Sequence, residues 1–258
     1  MSNIVVKYDP WGRMGNRMFQ YAFGYILSKL KKCNIYASSI PNFNIPDTLC
    51  NYAELKADNA IRTSSYGNNY ANLSELINTD CDIIVDSFLQ KSAFYTPHVS
   101  LLRDCFNIKS TPLNNTDELI LHVRETDYKD IGCFLGYENY RYVIKESKCN
   151  NIVIVTDNSN CETVQRLLAD GCKLYTEGYV NTFSHSSDER SMKDFNLLLN
   201  SDSIAISQSS FSWWAAFLGE QKNVYFPFCK LNGLWKVSPG FDDIDLFVNH
   251  HKCIKIII

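Results

Sequence analysis

Four short stretches of this chain combine residue types that bind phosphate, sugar or a nucleobase. Gln208-Ser209-Ser210-Phe211-Ser212-Trp213-Trp214 follows an apolar run, Ser203-Ile204-Ala205-Ile206-Ser207, and opens a helix-like segment that stops at Gly219. Hydroxyls at a strand-to-helix junction donate to phosphate oxygens, and the first-turn N–H groups there point outward. The same hydroxyls also serve as ordinary helix caps, and Trp213 and Trp214 read as core. Leu121-His122-Val123-Arg124-Glu125-Thr126-Asp127-Tyr128 closes a second apolar run. Alternation puts His122 and Arg124 on one face and Val123 and Glu125 on the other. An arginine at the carboxyl end of such a strand grips a diphosphate through two parallel hydrogen bonds. A surface ion pair between Arg124 and Asp127 is the plainer reading of that spacing. Ile152-Val153-Ile154-Val155-Thr156-Asp157-Asn158 ends in an acid that accepts two N–H bonds from a guanine edge, or caps the following helix. Finally, Gly12-Arg13-Met14-Gly15-Asn16-Arg17-Met18-Phe19 places two glycines before a helix, permitting a tight turn and close approach of a ligand to backbone. It lacks the third glycine and the distal acid of a dinucleotide fingerprint, and no Gly-Lys-Ser/Thr phosphate loop occurs. In the alternative, Asn16 simply caps the helix.

The elements that must hold these residues alternate between two periods. β-branched apolar runs at 4–7, 35–37, 83–86, 119–123, 152–156, 173–175, 204–207 and 224–226 read as strands, separated by segments of helical period. The clearest helix covers 16–32, with Met18, Phe19, Ala22, Phe23, Ile26, Leu27 and Leu30 on one face. Others cover 161–169 and 188–200. Asn-rich 59–72 reads as a long loop, as does 181–188, and the run 253–258 as a strand or packed tail. Ser110-Thr111-Pro112-Leu113-Asn114-Asn115-Thr116-Asp117 is the best linker. It divides the chain into an N-terminal α/β half (1–112), a C-terminal half (113–235) and a tail (236–258).

Composition narrows the function. The chain has 258 residues, 45% hydrophobic, and a formal net charge of -3. That charge offers no general attraction to nucleic acid or anionic membrane, so phosphate recognition must be local. No window approaches the ~20 apolar residues of a membrane span. The start, Met1-Ser2-Asn3-Ile4-Val5-Val6-Lys7, lacks the form of a secretory signal and reads as a first strand. The ten cysteines form no C-x-x-C pair. Free thiols in a reducing cytosol, with no zinc site, are therefore expected.

Taken in order, the four stretches resemble the inverting α-1,2-fucosyltransferases. Their pattern is a Gly-rich G-x-G-N-Q-M-F-Q-Y-A start, then H-x-R-R-x-D, then a strand ending S/T-D, then N-S-S-F-S-W-W. The similarity runs over residues 4–228; the His-x-Arg motif alone is shared with α-1,6- and protein O-fucosyltransferases. The resemblance implies a GT-B-like fold, two Rossmann-like halves facing a cleft, GDP-β-L-fucose as donor and no cofactor or metal. It implies that Arg124 binds the β-phosphate, that His122 and Asp157 contact the nucleoside, and that Ser209, Ser210, Phe211 and Ser212 line the diphosphate pocket. Asn16 then reaches the donor from the other half, with Gly12 and Gly15 giving backbone access.

Three positions depart from the family pattern. Glu125 stands where the second arginine belongs, Gln208 replaces the asparagine before Ser-Ser, and Arg17 replaces the glutamine after Gly-Asn. Strand alternation turns Glu125 away from the phosphates. The implied reaction is a single displacement at the anomeric carbon, with Asp127 the first candidate base and Glu125 and Asp130 behind it. An oligosaccharide or glycolipid ending in galactose is the expected acceptor. Another linkage or GDP-deoxyhexose, or a catalytically weak nucleotide-sugar- or glycan-binding protein, are the competing readings. Without an anchor, the chain is expected in the cytoplasm, in a bacterial or viral setting.

Overall fold

The computed structural model describes residues 2–10, 12–49, 60–109, 117–126, 134–176, 188–231, 234–236, 244–248 and 253–257. The chain is α/β, built as two compact units: Met1–Ile108 with Asp243–Leu246, and Lys109–Asp242 with Phe247–Ile258. The expected linker at 110–116 lies outside the described residues.

In the first unit, β1 (Ile4–Val6) leads into α1 (Met14–Lys31), then β2 (Ile35–Ala37), β3 (Ile61–Arg62), α2 (Leu73–Asn78), β4 (Ile83–Val85) and α3 (Val99–Cys105). The four strands are all parallel, in the order β2-β1-β4-β3. β1 is buried throughout, as continuous apolar runs in parallel sheets are. The core face of α1 carries Met18, Phe19, Ala22, Phe23, Ile26 and Leu27, all buried. Leu30, expected on that face, is instead 43% exposed, because the helix there has run past the three-residue strands that support it. Gly24 sets the depth of the packing: a Cβ there would stand 2.6 Å from Val6 Cγ2. The segment 59–72, expected as a loop, carries the two-residue β3 and a tight turn at Thr63–Tyr66.

The second unit runs β5 (Glu118–Val123), α4 (Tyr137–Ser147), β6 (Asn151–Thr156), α5 (Glu162–Ala169), β7 (Lys173–Leu174), α6 (Asp188–Asn200), β8 (Ser203–Ala205), α7 (Ser210–Leu218), β9 (Asn223–Leu231), β10 (Leu234–Lys236) and β11 (Cys253–Ile257). Five strands form a parallel sheet in the order β7-β6-β5-β8-β9, and β11 adds to β9 in parallel. β10 folds back antiparallel on the far part of β9. Sequence neighbours β5, β6 and β7 therefore step one way across the sheet, and β8 and β9 the other, which is the Rossmann-like arrangement. Leu119, Leu121 and Val123 pack with Tyr140, Val143, Val164 and Leu167 in one core cluster, so α4 and α5 cover the same face.

Trp213 and Trp214 are buried as expected, with Trp213 stacked on Phe217 at 4.7 Å. Cys33, Cys81, Cys105, Cys149, Cys161 and Cys172 carry free thiols. No described helix is long and apolar enough to cross a membrane.

Candidate functional site

The order β6-β5-β8 makes the carboxyl ends of β5 and β8 the point where the sheet's connections diverge. In open parallel sheets that is where the ligand crevice opens. β5 delivers His122 and Arg124 there, β6 delivers Asp157, and β8 delivers Ser207 and the entry to α7. The structure thus brings together in one unit three of the sites that the sequence holds apart by dozens of residues.

Arg124 Nη1 lies 3.0 Å from Asp157 Oδ2, and both side chains are nearly buried, 11% and 12% exposed. The Thr126 hydroxyl donates to the same oxygen at 2.6 Å. Asp157 is thus an ion-pair partner of Arg124, and the pairing with Asp127 that the spacing suggests falls on a residue outside the described ones. A neighbouring carboxylate at that distance holds in place the planar guanidinium, the group best shaped to grip an anion through parallel hydrogen bonds.

His122 is only 5% exposed. Its Nδ1 lies 2.8 Å from Ser207 Oγ. Its ring faces Phe211 at 5.7 Å, and Phe211 in turn meets Phe195 of α6 edge-on at 5.6 Å. Burial, and then the adjacent Arg124 cation, push the His122 pKa down to about 3, so the imidazole is neutral at physiological pH. Behind the strand, the buried Tyr140 hydroxyl donates to the His122 carbonyl at 3.1 Å. Tyr140 thereby ties the backbone that carries both functional side chains to α4.

At the entry to α7, Ser209 is the N-cap and its hydroxyl accepts from the Phe211 amide at 3.3 Å. Ser212 is fully buried and donates to the Ser209 carbonyl at 3.3 Å. Ser210 and Phe211 are half-buried, so of the three hydroxyls only that of Ser210 lies on a residue with substantial exposure. The capping reading therefore holds for Ser209, and the nine-residue helix directs its positive end to this side of the sheet. At the far end of α7, buried Gln221 donates through Nε2 to the carbonyls of Leu198, Leu199 and Ala215, pinning α6 and α7 together.

Glu125 is 6% exposed, and its carboxylate lies beside the Cys161 thiol and Tyr140, on the α4–α5 face. Alternation thus continues past the end of β5, and Glu125 turns to the opposite side from His122. Burial first, with Glu125 and Asp157 nearby, pushes the Cys161 thiol up to about 11. Asp127 and Asp130 lie outside the described residues.

In the first unit, the Gly12 amide donates to the Asp9 carbonyl at 2.9 Å, and a Cβ on Gly12 would stand 3.1 Å from that oxygen. The tight turn expected of this glycine is present. Gly15 is buried within the first turn of α1. The helix starts at Met14 with Arg13 as N-cap, making no side-chain cap bond. Asn16 therefore sits inside the helix and does not cap it; its Oδ1 accepts from Gln90 Nε2 at 3.0 Å. Arg17 donates through Nε to the Gly12 carbonyl at 3.1 Å.

Ser207, Tyr140 and Thr126 contribute to the site without having been expected there. Ser207 was legible only as the last residue of a strand, and Tyr140 lies in a polar segment with weak periodicity. Among the described residues, no group of three His, Cys, Asp or Glu side chains could hold a metal ion.

A family model described as glycosyl transferase family 11 matches residues 40–232. That span contains the His122, Asp157 and Ser209 stretches and begins after the Gly12–Ala22 stretch. No curated protein matches the chain.

Proposed function

The chain belongs to glycosyl transferase family 11, the fucosyltransferase family, and on that premise we propose that it transfers L-fucose from GDP-β-L-fucose, with inversion, to the 2-hydroxyl of a galactoside. The observation that carries this reading is the convergence of a nearly buried guanidinium, a neutral histidine and a helix N-terminus where the second sheet's connections diverge. Each favours an anion or an acceptor atom. Together they suit a nucleoside diphosphate better than a neutral ligand.

The acceptor oxygen attacks the anomeric carbon from the face opposite GDP. The bond from that carbon to the β-phosphate oxygen breaks, and GDP departs with its electron pair. Positive charge grows on the sugar ring as negative charge grows on the diphosphate. Arg124, the Ser210 hydroxyl and the first-turn amides of α7 stabilise that charge more in the transition state than in the ground state. In this proposal they do what a metal ion does in other phosphate sites, and the reaction needs no cofactor. The acceptor proton passes to Asp127 or to water. Asp157 contacts the nucleoside while holding Arg124. Asn16 is included on the resemblance alone, and Asn16→Ala is expected to raise KM for the sugar nucleotide.

The deciding experiment incubates the protein with GDP-fucose, excess chelator and a panel of galactose-ended oligosaccharides and glycolipids. Released GDP, with an α-1,2-linked fucoside shown by product mass and linkage analysis, is expected. A fucoside at another position would correct the linkage. GDP binding with no turnover would favour a weakened, sugar-nucleotide-binding protein. That second reading draws on Glu125 in place of an arginine, but Glu125 faces away from Arg124's side of the sheet, which argues against it.

A further inference from the structure

We propose that Ser207 is a positioning residue that fixes His122 as a neutral hydrogen-bond donor through Nε2, so that this site offers the ligand an N–H and not a titrating base. The proposal rests on the reading of the second unit as the GDP site and adds to it the required chemistry of the partner atom. That partner is an acceptor, such as a nucleobase carbonyl or a phosphate oxygen.

Two arrangements satisfy the 2.8 Å contact between His122 Nδ1 and Ser207 Oγ. If Nδ1 carries the proton, it donates to Oγ. The Ser207 hydroxyl hydrogen, on a residue 4% exposed, is then left without an acceptor among the described residues. If Nδ1 carries the lone pair, the hydroxyl donates to it and the pair is complete. Among the described residues Nε2 meets no protein group in either case, so the first arrangement leaves both the hydroxyl hydrogen and the Nε2 lone pair unmet and the second leaves only the Nε2 proton. The second therefore prevails and the single ring proton sits on Nε2. Nε2 has no protein partner among the described residues, although His122 is 5% exposed. A buried imidazole with one nitrogen satisfied and the other not is prepared for a ligand atom.

Two further contacts hold the ring in this pose. Phe211 packs against it at 5.7 Å, and Tyr140 fixes the His122 carbonyl. Burial, and then the neighbouring Arg124 cation, exclude the imidazolium, which would otherwise donate from both nitrogens and make Ser207 irrelevant. The serine thus decides which end of the ring donates, as the partner of a histidine's inner nitrogen generally does.

The experiment uses protein labelled with 15N in histidine, with His122→Gln assigning the signal. Long-range proton–nitrogen spectra distinguish protonated from unprotonated ring nitrogens directly. Wild type is expected to show a protonated Nε2 and a lone-pair Nδ1. Ser207→Ala is expected to lose that pattern, to bind GDP about tenfold more weakly and to raise KM for GDP-fucose by the same factor with little change in kcat. Ser207→Thr, which keeps the hydroxyl, restores all three. A protonated Nδ1 in wild type overturns the proposal, as does Ser207→Ala with unchanged tautomer and KM. If Ser207→Ala does not fold, the wild-type spectrum and Ser207→Thr still decide. Wild type with a protonated Nε2 but no affinity for GDP would uphold the tautomer and overturn the nucleotide reading.

Discussion

Each unit of this protein carries an arginine, an aspartate and a threonine at the carboxyl ends of adjacent parallel strands, yet the two triads differ in what surrounds them. In the first unit, Arg62 Nη1 meets Asp86 Oδ2 at 2.8 Å, and Thr63 donates to the same carboxylate. Arg62 is 50% exposed, its strand β3 lies at the sheet edge, and the Ser64 amide closes the ring of donors on Asp86. The Asp86 carboxyl is held below its usual range, because hydrogen bonds from Ser64 and Arg62 outweigh its burial. In the second unit, the pair is four-fifths more enclosed on the arginine side and stands beside a neutral histidine and a helix start. One triad staples a turn. The other keeps a desolvated cation beside a strand crossing where donors converge. The residue set is shared; burial and neighbours make the difference.

The largest effect that would test this contrast is on turnover. Arg124→Ala is expected to lower kcat by about 10²–10³, as deletion of one fixed charge-stabilising donor does. Arg62→Ala, removing a half-exposed partner, should change kcat less than about fivefold and stability by less than about 1 kcal/mol. Comparable losses of kcat in the two variants would erase the distinction. Next in size is Asp157→Asn, which leaves Arg124 enclosed without its carboxylate and should cost about 3 kcal/mol of stability. GDP should then raise the variant's Tm more than that of wild type, because the diphosphate supplies the missing anion. Equal GDP-induced shifts would mean that the nucleotide does not reach Arg124.

Most of the strand set was legible, because continuous apolar runs such as Ile152–Thr156 can only be buried strands or core helices and are too short for helices. β9 was harder. Pro227 reads as a stop after Phe226, yet the strand continues to Leu231, with β11 alongside through Pro227. α4 was missed because Tyr137–Ser147 buries only Tyr140 and Val143, too few apolar positions to show a period. At the site, the motif residues were legible as types, but their partnership was not. Arg124 and Asp157 are 33 residues apart, and only the parallel register of β5 with β6 brings them together. Spacing alone offers only local neighbours such as Asp127, which lies outside the described residues. The hydroxyl cluster likewise hid a division of labour, since Ser209 caps, Ser212 packs and Ser210 alone is left half-exposed.

The histidine gives the contrast a dependence on pH. His122 has its folded-state pKa depressed to about 3 by burial and by Arg124. Its contribution to stability is therefore complete above the unfolded value near 6.5 and is lost as pH falls from there towards about 3. Within that window the unfolded chain binds a proton that the folded unit refuses, and stability should fall by about 1.4 kcal/mol per pH unit from this group. Urea unfolding between pH 7 and pH 5, compared with His122→Gln, isolates the slope. The Gln variant should lose this component and keep the acid-side loss from Asp86, whose depressed carboxyl acts at lower pH in the same direction. An unchanged slope in His122→Gln would show that the ring is not held neutral by its surroundings.

The smallest expected effect concerns whether the diphosphate belongs to the second unit. Gly24 faces the central strand β1, where an added methyl would meet Val6 Cγ2 at 2.6 Å, with Ile4 and Ile35 at 3.4 Å. Val6 is fully buried, so the overlap cannot be relieved by rotating a side chain into solvent. Overpacking of this kind costs about 1–3 kcal/mol, while alanine's better helix propensity returns up to about 1 kcal/mol. Gly24→Ala should therefore destabilise the first unit by about 1 kcal/mol. Val6→Ala in the same chain should couple favourably with it, because the smaller residue clears the space. GDP affinity measured by calorimetry should not change in Gly24→Ala, since Arg124, Ser210 and the first-turn amides of α7, the groups assigned to the diphosphate, lie in the second unit, and Asn16, the α1 residue assigned to the sugar nucleotide, stands about two helical turns from Gly24. A parallel loss of GDP affinity would mean that the first unit shapes the nucleotide site, and the division of roles drawn from the two triads would fail.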